Sequence, residues 1–132
     1  DGWVELVEID HQMQNPGPAC LRLASVIETV GKGMGFDGEV MRHLDDLLRQ
    51  AGLQGVEMQP IVIPVGEWGG RVGSMLKRDL LSALQGLKEL YCQRGSLPLA
   101  EFEGLVRAMA DEWEAYHSAC TFYAVYGKRV QV

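Results

Sequence analysis

The chain has 132 residues, 47% of them hydrophobic and 8% aromatic, so it is long and apolar enough to bury a core and is unlike a disordered chain. Its formal net charge is −6 and its 12 Lys and Arg residues are scattered, which excludes the basic stripe of a direct nucleic-acid binder. Its apolar runs are far shorter than the roughly 20 residues of a membrane-spanning helix, so we expect no membrane insertion.

The first third of the chain predicts one strand and one helix. Residues Trp3 to Ile9 are rich in β-forming side chains and predict a strand that ends near Asp10. Residues 15–18 (Asn-Pro-Gly-Pro) break this pattern, and apolar residues at helical spacing predict a helix from Ala19 to about Val30, which glycines end. The glycine-rich run 31–35 follows that helix and not a strand, so we interpret it as a connection between helices and reject it as a nucleotide loop.

The middle of the chain predicts a helix and then an edge strand. Asp37 is a suitable N-cap for a helix that ends at Gly52. Six apolar residues share one face of this helix: Val40, Met41, Leu44, Leu47, Leu48 and Ala51. Residues Val56 to Val65 are apolar and β-branched but contain Pro60 and Pro64. Since proline cannot donate a hydrogen bond to a neighbouring strand, we expect this strand at an edge of the sheet.

The last third predicts two helices and an interior strand. The helices run from about Val72 to Tyr91 and from about Pro98 to Tyr116, and both are expected to face the core. Their core residues are predicted to be Met75, Leu76, Leu80, Leu84 and Leu87, then Phe102, Leu105, Val106, Met109 and Trp113. The final strand, Ala119 to Tyr126, has no proline and no alternation, which is typical of a strand buried on both faces and paired on both sides. We therefore expect it between the other two strands.

Four short motifs resemble the LaeA-like methyltransferases of filamentous fungi, which are class I enzymes dependent on S-adenosyl-L-methionine (SAM). Residues 1–10 (DGWVELVEID) resemble their "GGWVE" fifth strand, and residues 52–56 (GLQGV) resemble their entry to strand six. Residues 64–68 (PVGEW) are similar to their "P-x-G-x-W" turn, and residues 126–129 (YGKR) resemble their closing "YGRK" segment. The order and spacing of the four motifs carry the resemblance along nearly the whole chain.

The resemblance implies an α/β fold, the C-terminal half of a Rossmann-like seven-stranded methyltransferase sheet. The three predicted strands would be strands five, six and seven, with strand seven antiparallel between five and six. Residues 1–132 would then form part of one domain whose SAM-binding N-terminal half lies outside this sequence. The start at Asp1-Gly2, a turn dipeptide that leads straight into a strand, is expected to be a cut inside that domain.

The resemblance also implies an activity and partners. The activity would be transfer of a methyl group from SAM to an O, N or S acceptor on a small molecule or a protein, in the cytoplasm, the nucleus or both. This chain alone would be inactive, and its partner would be its own N-terminal half or a companion chain that completes the sheet. The alternative is a regulatory interaction subunit, because LaeA-like proteins are associated with fungal transcriptional complexes and secondary metabolism.

The candidate site lies where ligands of open α/β sheets bind, outside the carboxyl ends of the parallel strands. Strands five and six would bring Asp10, His11 and Trp68 to this edge, and strand seven would add His117. We predict Asp10 and His11 as catalytic and substrate-binding residues, and Trp68 and His117 as substrate-binding residues, because a proton acceptor and an apolar wall suit a methyl acceptor. The alternatives are structural, with Asp10 capping a turn, His117 bonding a buried carbonyl and Trp68 packing.

Other chemistry is disfavoured by spacing. A metal site at Asp10, His11 and His117 lacks a ligand-spacing motif, and adjacent ligands seldom reach one ion. The widely spaced Cys20, Cys92 and Cys120 suit buried thiols in a reducing compartment.

We interpret the acidic run of the last predicted helix as a solvated face, with partner docking as the alternative. Its members are Glu101, Glu103, Asp111, Glu112 and Glu114.

Overall fold

The computed structural model describes residues 2–131 and is a mixed α/β fold in which helices flank a three-stranded antiparallel sheet. The strands are β1 (Gly2–Ile9), β2 (Gln54–Pro64) and β3 (Ala119–Arg129). The helices are α1 (Pro18–Gly33), α2 (Leu44–Gln50), α3 (Gly70–Arg94) and α4 (Leu99–Ala115). Short 3₁₀ turns at Val40–His43 and Glu67–Gly69 lead into α2 and α3.

The sheet has the strand order β1-β3-β2, and β3 runs antiparallel to both neighbours. The predicted interior position of the last strand is therefore confirmed, as is the edge position of the proline-containing strand. Ile9 lies opposite Phe122 on one side of β3, and Pro64 lies opposite Ala119 on the other. Because β1 and β2 both run antiparallel to β3, their carboxyl ends lie beside the beginning of β3. These strand ends form one edge of the sheet, at which the candidate site lies.

Two helix boundaries differ from the prediction. Helix α1 continues through Gly31 to Gly33, because the chain turns only at Gly35, whose φ of 84° lies in the left-handed region. The helix predicted from Asp37 is a 3₁₀ turn followed by the shorter α2. Asp37 does not cap α2; its Oδ1 accepts the N–H of Glu39, 2.9 Å away, and so closes a local turn instead.

The larger core lies between α1, α3, α4 and the edge of the sheet where β3 begins. Its central side chains are Leu23 from α1, Phe102 and Trp113 from α4, and Cys120 from β3. The predicted core face of α4 is confirmed for Phe102, Val106, Met109 and Trp113, while Leu105 is half-buried. In α3 the half-buried Leu76, Leu80 and Leu84 pack on this core, but the prediction for Met75 and Leu87 is wrong because both are exposed.

A smaller core lies on the α2 side of the sheet, where Leu44 and Leu48 pack on Val125. Strand β3 is thus covered on both sides at some positions but is not buried along its whole length, which limits the prediction of a fully buried strand. Strand β1 is exposed for most of its length and pairs with no second strand among residues 2–131. No helix within residues 2–131 is long and apolar enough to cross a membrane.

Candidate functional site

Asp10 follows the last residue of β1 and is the centre of a hydrogen-bond network. Arg42 donates from Nε to Oδ2 at 2.9 Å and from Nη2 to Oδ1 at 3.1 Å. The N–H of Gln12 donates to Oδ1 at 2.9 Å, and the hydroxyl of Tyr123 donates to Oδ2 at 3.3 Å. Asp10 is 5% exposed, and all four of these donors are protein groups.

These contacts keep the Asp10 carboxylate ionised. Burial alone would raise its pKa, but the hydrogen bonds from Arg42 and from the N–H of Gln12 outweigh burial and lower the pKa below its ordinary value. An ionised carboxylate whose two oxygens are both occupied is poorly suited to take a proton from a substrate. The arrangement suits Asp10 to fix the positions of Arg42, Tyr123 and the backbone of Gln12.

The imidazole of His11 is held between Asp10 and Gly38. Its Nδ1 is buried without a hydrogen-bond partner and lies 3.7 Å from Oδ1 of Asp10. Gly38 approaches the ring so closely that a Cβ there would stand 3.2 Å from Cε1 of the imidazole. Nδ1 is therefore enclosed by protein and is not available to a ligand.

His11 borders an open groove of about 340 Å³. The loop after β1 forms one wall and the first three turns of α1 form the other, with Met13, Leu21 and Ala24 as apolar lining and Glu28 at the far end of the helix wall. This volume is at the lower end of the range for small-molecule sites. The groove can therefore hold a small group beside the imidazole.

Trp68 and His117 form a second pair at the same edge. Their rings are stacked with centroids 4.6 Å apart and planes inclined by 5°. The indole Nε1–H donates to the carbonyl of Val65 at 2.9 Å, which fixes the ring orientation. His117 has a φ of 50°, in the left-handed region, and Trp68 is 39% exposed. The pair is a rigid, partly exposed aromatic surface.

Two carboxylates of α4 hold the loops that carry these pairs. Glu114 accepts the N–H groups of Glu67 and Trp68, each at 3.1 Å. The ammonium of Lys77, 2.6 Å away, lowers the pKa of Glu114. Glu112 accepts the first N–H groups of α1, from Ala19 at 2.8 Å and Cys20 at 3.0 Å. The prediction that this acidic run is only a solvated face is therefore wrong for Glu112 and Glu114.

The four predicted site residues lie at one edge of the sheet but as two separate pairs. β3 lies between β1 and β2, so the ends of the two outer strands are about 10 Å apart, two strand spacings. The space between them contains main chain, where Gln14 and Ala119 exchange hydrogen bonds at 2.8 and 3.2 Å. Within residues 2–131 no hydrogen bond or ring contact joins Asp10 or His11 to Trp68 or His117.

Four residues of the site were not predicted from the sequence: Arg42, Tyr123, Glu112 and Glu114. Arg42 lies 32 residues from Asp10, and nothing in the local pattern indicates the contact. A signal was present for the two glutamates. They end a helix whose last turn has no basic residue, where negative charge opposes the helix dipole, and this conflict indicates partners elsewhere in the fold.

Metal and thiol chemistry gain no support from the geometry. Within residues 2–131 no group of three or more His, Cys, Asp or Glu side chains could hold a metal ion. His117, named in the metal hypothesis, stacks on Trp68 in the other pair. Cys20 and Cys120 are buried, and burial raises the pKa of the Cys120 thiol to about 12, so this thiol stays protonated.

A scan of the chain against models of protein families finds no match, and a search of curated proteins finds no relative.

Proposed function

We propose that this chain is the C-terminal part of a class I SAM-dependent methyltransferase that transfers a methyl group to an O, N or S acceptor. The observation that carries the proposal is the strand order β1-β3-β2, with the last strand antiparallel between two strands of the same direction. This is the arrangement of strands five, seven and six in the family that the sequence motifs resemble. Topology and motifs are separate lines of support, because strand pairing does not enter the motif comparison.

The groove beside His11 and the Trp68–His117 surface are proposed to border the acceptor. Catalysis of this type depends mainly on holding the acceptor in position, with a base where the nucleophile carries a proton. His11 lines the groove and is the candidate base, with Nε2 as the proposed proton acceptor because Nδ1 is enclosed, while Asp10 stays ionised. Trp68 and His117 supply a flat apolar wall for the acceptor.

The described residues do not fit SAM itself. A glycine-rich turn leads from β2 into α3, but the N–H groups of Glu67 and Trp68 in this turn already donate to Glu114. The other glycine run, at residues 31–35, ends α1 and does not follow a strand. SAM would supply the transferable methyl group, and we assign its site to polypeptide outside this sequence.

The free edge of β1 is the proposed attachment point for that polypeptide. Trp3 is 66% exposed and Val7 is 55% exposed, and the outer side of β1 pairs with no strand among residues 2–131. An exposed strand edge with apolar side chains is a template for another strand. The added strands would come from the N-terminal half of the same protein or from a companion chain.

A regulatory interaction subunit is the second candidate, and the same exposed edge favours it. A free strand edge binds a partner equally well whether or not methyl transfer follows. In that case the partner would belong to a transcriptional or signalling complex in the cytoplasm or nucleus.

One experiment separates the two candidates. The chain, assembled with the polypeptide that completes its sheet, is titrated with SAM and then incubated with labelled SAM and a panel of hydroxyl, amine and thiol acceptors. The methyltransferase proposal expects saturable SAM binding and label transfer to one acceptor class. Stable assembly without SAM binding would overturn it and leave the regulatory candidate.

A further inference from the structure

The end of α4 contacts both loops of the candidate site through two carboxylates. Glu112 and Glu114 are two positions apart, so they point about 200° apart around the helix, toward opposite neighbours. Glu112 accepts two N–H groups at the start of α1, and Glu114 accepts two in the turn that leads into α3. The end of α4 therefore supplies the hydrogen-bond acceptors for both segments.

Neither capped segment has a side-chain cap of its own. The N-cap position of α1 is Gly17, and that of the turn before α3 is Gly66. The first N–H groups of a helix need an acceptor, and Glu112 and Glu114 supply it from a distant part of the chain.

The two glycines make room for the two carboxylates. A Cβ built on Gly17 would collide with the carboxylate of Glu112, and a Cβ built on Gly66 would collide with that of Glu114. Gly17 has a φ of −88°, which any residue adopts, so its backbone does not require glycine, whereas the φ of 123° at Gly66 also favours glycine. The same pairing of glycine and glutamate occurs at both loops.

We propose that Glu112 and Glu114 are positioning residues that hold the loop after β1 and the turn after β2 on α4, and thereby set the relative position of the two site pairs. Glu114 accepts the backbone N–H of Trp68. His117, three residues after Glu114, stacks on the indole ring of Trp68. Glu112 holds the start of α1, which is one wall of the groove beside His11. The importance of these positions for an acceptor depends on the proposed function; the positioning itself does not.

The Trp68 half is tested by NMR of the His117 imidazole in the full chain. A stacked indole shifts the imidazole proton signals, and the Trp68→Leu variant provides the unstacked reference. We expect Glu114→Gln to move the His117 signals toward that reference, because the two N–H groups are bonded to different carboxylate oxygens and the amide replaces one of them with an NH2 donor. The control Asp111→Asn makes the same charge change on the exposed neighbouring turn and should leave them unchanged. Unchanged His117 signals in a folded Glu114→Gln variant would overturn the proposal.

The α1 half is tested by a double-mutant cycle on the free energy of unfolding. Gly17→Ala should destabilise the chain that contains Glu112 and should cost clearly less in a Glu112→Ala background, where the colliding carboxylate is gone. Additive effects of the two substitutions would show that Glu112 does not occupy this position.

A measurement without variants covers the case in which a substituted chain does not fold. The amides of Ala19, Cys20, Glu67 and Trp68 all donate to α4, so we expect them to exchange hydrogen slowly and as one group. Exchange of these amides at the rate of free amides would contradict the proposal. Neither NMR nor exchange involves SAM, so failure here is distinct from failure of the proposed function.

Discussion

The two carboxylate oxygens of Asp10 accept four hydrogen bonds, which leaves little capacity to bond or deprotonate a ligand. A carboxylate that is nine-tenths buried and fully bonded stabilises the fold and orients its neighbours. Nδ1 of His11 is enclosed and has no hydrogen-bond partner, while the ring lines the groove. At residue scale we therefore propose His11, and not Asp10, as the proton acceptor of this pair.

The lowered pKa of Asp10 predicts a pH-dependent contribution to stability. The folded pKa lies below the unfolded value of about 3.8, so the contribution is present above that pH and is lost as the pH falls through the folded pKa. We expect Asp10→Asn to lower the free energy of unfolding by about 1–3 kcal/mol at pH 7, and the difference to shrink below pH ~4. Urea denaturation at several pH values measures it.

The matched control is Asp46→Asn, because the side chain of Asp46 is 61% exposed in its ion pair with Arg49. Such a pair contributes less than about 1 kcal/mol, so its loss should be small at every pH. Equal effects of the two substitutions would contradict the role assigned to the Asp10 network.

His11→Ala should lower methyl transfer by the assembled protein more than it lowers SAM affinity. The imidazole faces the groove assigned to the acceptor, and the SAM site is assigned to other polypeptide. Loss of a general base typically costs about 10²- to 10⁴-fold in rate. Asp10→Asn should act in the same direction, because it weakens the hydrogen bonds to Arg42 and Gln12 beside the imidazole. Transfer rates and SAM titration measure the two quantities, and a parallel loss of both would refute the placement.

Trp68→Ala should raise the KM for the acceptor with a smaller change in kcat, because the indole is assigned to binding and not to the reacting atoms. Steady-state kinetics with the acceptor identified by the labelling panel test this. A fall in melting temperature with unchanged KM would mean that Trp68 only packs against His117.

At the scale of single elements, α3 is the helix whose burial differs most from its pattern. It has 25 residues, and Gly73 is its single buried residue within the described chain. Leu76, Leu80 and Leu84 recur every four residues and face the core, whereas Met75 lies on the opposite, exposed side. A leucine-rich helix can thus be only half covered, since one apolar stripe suffices to attach it.

Two glycines of α3 give opposite predictions for the same substitution. A Cβ at Gly73 would collide with the carbonyl oxygen of Gly66, so Gly73→Ala should lower the free energy of unfolding by about 1–3 kcal/mol. Gly86 has open space around its Cβ position, so Gly86→Ala should raise it by up to about 1 kcal/mol. Denaturation curves compare the two, and a stabilising Gly73→Ala would contradict the close contact between α3 and the turn after β2.

At the scale of the whole molecule, the two edges of the sheet differ. The β2 edge carries Pro60 and Pro64, which hinder further pairing, whereas the β1 edge has no proline. Trp3 and Val7 on β1 add exposed apolar surface. The fold therefore has one edge suited to assembly and one protected against it.

The isolated chain is expected to associate through β1 and to bind SAM no better than background. Val7→Lys should reduce this association, because a charge on an edge strand hinders pairing, while Val62→Lys on β2 should not. Sedimentation velocity measures association, and isothermal titration measures SAM binding before and after the completing polypeptide is added. Saturable SAM binding by the isolated chain would overturn the placement of the cofactor site.

Local chemistry was enough to predict the strands, their order and the core face of α4. Pro60 and Pro64 lack a donor wherever they are placed, so the edge position of their strand follows from residue type alone. The apolar spacing of Phe102, Val106 and Met109 likewise defines one face of a helix without reference to its neighbours.

The site depended on tertiary structure because its contacts join residues far apart in sequence. Arg42 reaches Asp10 across 32 positions, and Glu112 reaches Ala19 across 93. From the sequence, Asp10, His11, Trp68 and His117 were placed at one edge of the sheet through the strand directions that the resemblance implied. Only the folded chain separated them into two pairs, because β3 and the main chain beside it occupy the space between the outer strands.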